Sequence, residues 1–210
     1  MNAVHFVVPA GIDDPARPSG GNAYDRQVRD GLADAGWTVH MHEVGDLADV
    51  LARLPDGSVV LLDGLVALPA PEVLVPESRR LRLVALVHMS LGDAREGAVL
   101  SAVASVVTTS NWARELLLER YSLPPDRVHL AAPGVEAAEL APGTPAGSSL
   151  LSVAAVIPGK GHDLLVDALA TLNGEPWSCL CVGTLERDPA FVASLRRRAD
   201  PRMRFSGALP

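Results

Sequence analysis

Residues 4–44 read VHFVVPAGIDDPARPSGGNAYDRQVRDGLADAGWTVHMHEV, and the change of pattern along them decides the fold class. Residues 4–10 are a short apolar run of strand length, broken by a long polar loop. From residue 23 to 35 the period changes to that of a helix. Tyr24, Val28, Leu32 and Ala35 fall on one stripe, while Asp25, Arg26, Arg29 and Asp30 are expected to face elsewhere. Gly36 sits where a helix C-cap needs a left-handed residue, and residues 38–44 read as the next strand. This is one βαβ unit. Strands predicted over 59–65, 81–88, 105–110 and 128–132 repeat the rhythm. A helix over 111–121 opens on Ser110 or Asn111 and is stopped by Pro124 and Pro125. Such alternation gives an α/β fold with a parallel sheet covered on both faces.

The stretch EAAELAPGTPAGS at 136–148 is small, proline-bearing and aperiodic, which reads as a linker. The division expected is a first domain over 1–136, a linker over 137–148 and a second unit over 149–210. In that second unit the rhythm restarts with strands over 150–156, 177–183 and 203–206 and helices over 162–172 and 189–199. Three strands and two helices leave a sheet edge uncovered, so the unit is expected to be the incomplete start of a second α/β domain.

The chain has 210 residues, 48% of them hydrophobic, which suffices for packed cores, and its net charge of -7 argues against nucleic acid as a partner. MNAVHFVVPAG lacks a basic n-region, and no apolar run is long enough to span a bilayer, so a cytoplasmic protein is expected. Arg79, Arg80 and Arg82 beside Leu81 and Leu83 raise peripheral attachment to the inner membrane face as a further expectation. Cys179 and Cys181 alternate within WSCLCVG, so both thiols share a strand face and read as buried small hydrophobes.

In an open parallel sheet, ligands bind beyond the carboxyl ends of the strands. Ser19, Gly20, Gly21 and Asn22 follow the first strand and lead into a helix. Glycines there allow close backbone approach, and helix N-terminal amides favour an anion. His88 closes the run LRLVALVH and opens the loop MSLGD, where an imidazole could donate to a substrate oxygen. Ser110 and Asn111 are also at a strand end, although capping accounts for them. No G-x-G-x-x-G follows the first strand, and neither a Walker A lysine motif nor a G-x-S-x-G elbow occurs. Dinucleotide oxidoreductases, P-loop NTPases and α/β-hydrolases therefore lack their devices here.

Three stretches, SGGNAYDRQVRDGLADAGWTVHMHEV, VVTTSNWARELLLERYSLPPDRVHLAAPGVE and LLSVAAVIPGKGHDLLVDALATL, together resemble the retaining glycosyltransferases of family 4, which have the two-domain GT-B architecture. The resemblance implies an acceptor-binding Rossmann-like N-terminal domain and the first part of a Rossmann-like donor domain. It further implies transfer of a hexose-type sugar from a nucleotide-diphosphate sugar to an alcohol acceptor, lipid or small molecule. The transfer would retain configuration and use no metal or other cofactor. His88 would lie near the transferred sugar and Lys160 would meet the departing diphosphate, where a cation stabilises developing charge. Ser19, Gly20, Gly21, Asn22, Ser110, Gly134 and Gly161 would contact donor or acceptor. The family pattern V-G-R-L-x-x-x-K-G has an arginine where this chain has Ala155, and Arg187 in the next strand-helix loop is a candidate substitute. The family's paired acidic motif lies beyond Pro210, so weak donor binding and little turnover are expected. A catalytically silent binding module and a nucleotide-sugar epimerase or hydrolase of the same architecture remain the alternatives.

Overall fold

The computed structural model describes residues 2–14, 19–172 and 174–209, so residues 15–18 of the first polar loop lie outside the described part, as does Pro210. The chain forms two compact units, Met1–Val135 and Glu136–Pro210.

The first unit runs β1 (Ala3–Val8), α1 (Gly20–Asp34), β2 (Thr38–Glu43), α2 (Leu47–Ala52), β3 (Val59–Asp63), α3 (Gly64–Ala67) and α4 (Pro71–Glu77). It continues with β4 (Arg82–Val87), α5 (Ala94–Ala102), β5 (Ser105–Thr108), α6 (Asn111–Tyr121) and β6 (Val128–Leu130). Its six strands are all parallel, in the order β2-β1-β3-β4-β5-β6. Side-chain alternation sends Val7, Val60, Leu62, Leu83, Ala85 and Val87 to one face, where Leu51, Leu74, Leu100 and Leu117 close over them. Val4, Phe6, Val8, Leu61 and Leu86 go to the other face, against Tyr24, Val28 and Leu32 of α1. Leu83 is fully buried between neighbours on both sides, a position where truncation to alanine costs about 2–5 kcal/mol.

Four helices of this unit start where the sequence supplies an acceptor for free amides. Asp46 caps α2, Asp63 caps α3, Asp93 caps α5 and Ser110 caps α6. Each such cap contributes about 1 kcal/mol. Helix α1 ends as expected at Gly36, whose φ is +83°; Trp37 N–H bonds back to the Leu32 carbonyl at 3.0 Å.

Two local readings differ. Helix α1 begins at Gly20 instead of residue 23, so Gly20, Gly21 and Asn22 form its first turn and not a loop. Asp25 does not face away: it is fully buried, because it lies on the same stripe as Val28 and Leu32. In α6 the packed face is Ala113 and Leu117, while Trp112 stands 72% exposed.

The second unit runs β7 (Ser149–Val153), α7 (His162–Ala170), β8 (Ser178–Val182), α8 (Pro189–Arg198) and β9 (Met203–Gly207), a parallel three-stranded sheet in that strand order. Cys179 and Cys181 are unoxidised and buried, and burial pushes the Cys181 thiol up to about 12. They pack with Val166, Leu169, Val192 and Leu195 as small hydrophobes. Leu151 and Val153 on edge strand β7 are 67% and 70% exposed, so one face of that strand is uncovered among the described residues.

At the end of β8 the chain passes so close to the continuation of β7 that only glycine fits. A Cβ on Gly183 would stand 1.9 Å from the Ala154 carbonyl oxygen, and its φ is +152°. Gly183→Ala is expected to destabilise the second unit by about 3 kcal/mol. Amide exchange in β7 to β9 should then accelerate about a hundredfold while that of β1 to β6 stays unchanged.

Candidate functional site

The strand order reverses at β1: the chain adds β2 on one side and β3 on the other, which opens a crevice beyond the carboxyl ends of β1 and β3. Three side chains meet there. Asp63 is the last residue of β3, His88 follows β4 directly, and Asp25 lies in the second turn of α1, which the loop after β1 feeds.

His88 Nε2 stands 3.0 Å from Asp25 Oδ1 and 3.1 Å from Asp63 Oδ2. Both carboxylates are shut from solvent, with 1% and 2% side-chain exposure, while the imidazole keeps 18%. The second Asp63 oxygen accepts from Leu65 N–H at 2.6 Å and starts α3, so this carboxylate is oriented by the backbone that follows it. Tyr24 meets the His88 ring edge-on at 5.2 Å between centroids, and its hydroxyl donates to the Ala131 carbonyl at 2.7 Å. An added Cβ on Gly21 would lie 3.6 Å from His88 Cδ2, so the bare first turn of α1 comes close against the ring.

Burial alone would lower the His88 pKa. The hydrogen bonds to Asp25 and Asp63, reinforced by their charges, overcome this and raise it to about 9. The Asp25 carboxyl is pushed up by burial; the bond from His88 opposes that, and neighbouring Asp63 adds to it. His88 is therefore an imidazolium at neutral pH, held by two carboxylates. The ligand-type atoms of these three residues all lie within 4.8 Å of one another, a grouping that can also hold a divalent cation. The proton on Nε2 competes for that same position.

The loop after His88 is fixed by a third buried carboxylate. Glu96 accepts from Ser90 Oγ at 2.8 Å, Gly92 N–H at 2.6 Å and the Tyr121 hydroxyl at 2.6 Å. Leu65, Met89, Leu91 and Trp112, each near the carboxyl end of a strand, are exposed apolar side chains. Pro9, Ala10, Val44, Leu47, Leu65 and Val66 line a cavity of about 400 Å³ beyond the ends of β1, β2 and β3.

Of the residues expected from the sequence, Gly21 and His88 are brought together, with Ser19 Oγ 3.7 Å from the same point beside Gly21. Gly20 and Asn22 share that first turn. Ser110 is spent on the Ala113 amide at 3.1 Å, and Gly134 is exposed in the irregular chain after β6. In the second unit, Lys160 ends a 3-10 turn and is exposed; Gly161, with φ +69°, is the N-cap of α7. His162 behind it is buried, with neither ring nitrogen hydrogen-bonded, and burial lowers its pKa. Arg187 is exposed in the loop after β8. Arg80 bonds the Leu51 and Leu54 carbonyls, Asp56 and Glu77, so it is not available to a membrane surface. Among the described residues no helix is long and apolar enough to cross a membrane.

Sequence reading missed Asp25, Asp63 and Glu96. Asp25 and Asp63 each carried a signal: Asp25 is three and seven residues from Val28 and Leu32 on the apolar stripe, and Asp63 ends a strand otherwise made only of Val and Leu.

No protein-family model and no curated protein sequence matches the chain. Solved structures do. A glycosyltransferase from Rickettsia africae superposes with a TM-score of 0.66 at 17% identity, over 99% of this chain and 68% of that one. HepE from Anabaena, solved with UDP-glucose, gives 0.66 at 14% identity over 100% and 70%. The lipopolysaccharide outer core galactosyltransferase WaaB gives 0.61 at 13% over 100% and 68%. The fold is that of GT-B glycosyltransferases. At these identities the likeness is one of architecture, and it covers both units.

A histidine whose folded pKa is raised stabilises the fold fully below its unfolded value near 6.5, and the contribution is lost as pH rises through about 9. The melting temperature should therefore fall by about 4 °C or more between pH 6.5 and 9.5. In Asp63→Asn, which keeps an oxygen for the α3 cap, the His88 resonance should titrate at least about one unit lower in NMR.

Proposed function

We propose that the protein is a glycosyltransferase that moves a hexose-type sugar from a nucleotide-diphosphate donor to an alcohol acceptor, with retention of configuration and without a metal. The observation that carries the reading is the carboxylate-held imidazolium of His88 beside the bare first turn of α1, at the switch point of a glycosyltransferase-type fold. HepE was also solved with UDP and glucose, which supports a nucleotide-sugar donor.

In this reading His88 acts as a cationic hydrogen-bond donor to a hydroxyl of the transferred sugar. With its pKa near 9 the ring is already protonated, so it is not the base that takes the acceptor proton. Asp25 and Asp63 are positioning residues: they hold the ring's orientation and charge through Nε2. Lys160 and the first amides of α7 after Gly161 would take the departing diphosphate, where fixed positive charge and helix N–H groups lower the cost of developing negative charge. Ala155, half-buried where related enzymes carry arginine, leaves Lys160 with more of that task. The same alanine favours the second reading, a binding module without turnover.

Thermal shifts against UDP-, GDP- and ADP-sugars test the proposal. One donor is expected to raise the melting temperature, and Lys160→Ala should abolish the shift. His88→Ala should keep the shift but lower transfer about a hundredfold or more. Binding without any transfer by the parent protein would support the silent module, and no shift with any nucleotide sugar would exclude both readings.

A further inference from the structure

Three of the chain's six histidines stand together at the opposite side of β1 from the catalytic crevice's strand β4, on the face of the edge pair β1 and β2. Parallel pairing sets His5 opposite His40 and Val7 opposite His42. Strand alternation turns all three imidazoles to one face, since Phe6, Val39 and Met41 occupy the other. His5 Nδ1 and His42 Nε2 are 3.0 Å apart. The His40 ring stacks on His5 with centroids 4.9 Å apart and an interplanar angle of 22°, and the His42 ring lies 5.2 Å from His5. His5 and His42 are half-buried and His40 is exposed, so water and ions reach the group.

We propose that His5, His40 and His42 form a binding site for one borderline divalent transition-metal ion, nickel(II), copper(II) or zinc(II), which ties edge strand β2 to β1. The donor set is imidazole alone, which suits these ions and is poor for magnesium or calcium. Bonds of about 2.05 Å from His5 Nδ1 and His42 Nε2, at their present 3.0 Å separation, would subtend about 94° at the metal. That is near the right angle of tetragonal and octahedral sites, so nickel and copper need no change in this separation, only a turn of the rings that points their lone pairs at the ion. Tetrahedral zinc needs the nitrogens to open to about 3.3 Å.

The proton that His5 and His42 share engages the two nitrogens that the cation would take. When the metal binds, the shared proton moves to the far nitrogen of the ring that donated it, so each ring carries one N–H away from the ion and two neutral imidazoles bind with no net proton release. His40, two residues from His42 on the same strand face, supplies the third nitrogen by rotation about its side-chain bonds. Water completes the coordination on the exposed side. A His-x-His pair on one strand with a third histidine on its neighbour is a chelate built by register alone, and a one-residue slip would scatter it across both faces.

Untagged full chain, stripped with a chelator, is titrated calorimetrically with nickel chloride and zinc chloride near pH 7.5. One equivalent of nickel should bind, raising the melting temperature by about 5 °C at a hundredfold excess over Kd. Copper loading should give an electron paramagnetic resonance spectrum with nitrogen superhyperfine structure. His42→Gln and His40→Gln should each weaken nickel binding about tenfold or more. His40 is exposed, so that variant folds whatever happens to the other. His129→Gln, on exposed β6 at the opposite sheet edge, should bind as the parent does. Absence of nickel binding at 100-fold molar excess, or undiminished binding in both His40→Gln and His42→Gln, would overturn the proposal.

Discussion

The interaction on which the carboxyl end of the first unit's sheet depends is the contact of one imidazole with two buried carboxylates. Two aspartates without solvent cannot both stay ionised unless a cation shares the space, and His88 supplies it. The arrangement binds three elements at once: α1 through Asp25, β3 and α3 through Asp63, and β4 through His88. Because the carboxylates keep the ring protonated, the same contact that closes the fold also decides what chemistry the ring can do. A cationic donor remains where an unperturbed histidine would have been a base near neutrality.

Around that cluster the structure invests in order. Glu96 fixes the loop behind His88 with three accepted hydrogen bonds, Asp93 caps α5 next to it, and the Tyr24 hydroxyl reaches across to the chain after β6. These bonds hold the ends of four strands without covering His88 completely, and exposed Leu65, Met89, Leu91 and Trp112 near the same ends leave the surroundings apolar. An ordered, apolar, partly dehydrated setting strengthens every fixed charge within it.

Much of this was legible in the chain. The period change within residues 4–44 placed β1, α1 and β2 within a few residues, and the exact helix α6 followed from its cap and its prolines. His88 and the glycines before Ala23 stand out in the sequence because strand ends are where an open sheet binds. Helix α1 starts three residues before propensity predicts, because the packing of its first turn against His88 overrides the low helix propensity of two glycines and an asparagine. The charge of Asp25 predicts a place in solvent, whereas its position on the stripe turns it inward. Its partner lies 63 residues away, and nothing local announces such a pairing.

The alternation of apolar runs with helical periods and the absence of dinucleotide and P-loop motifs are properties of local order, and the sequence by itself determined them. Local spacing sets which residues share a face of a strand or helix, so the α/β class followed. Tertiary structure alone decided the reversal of strand order at β1, the meeting of Asp25 with Asp63 and His88, the raised pKa of that ring and the grouping of His5 with His40 and His42. Each depends on which strands become neighbours and in what register, and those are fixed by how the whole set of apolar faces is buried together.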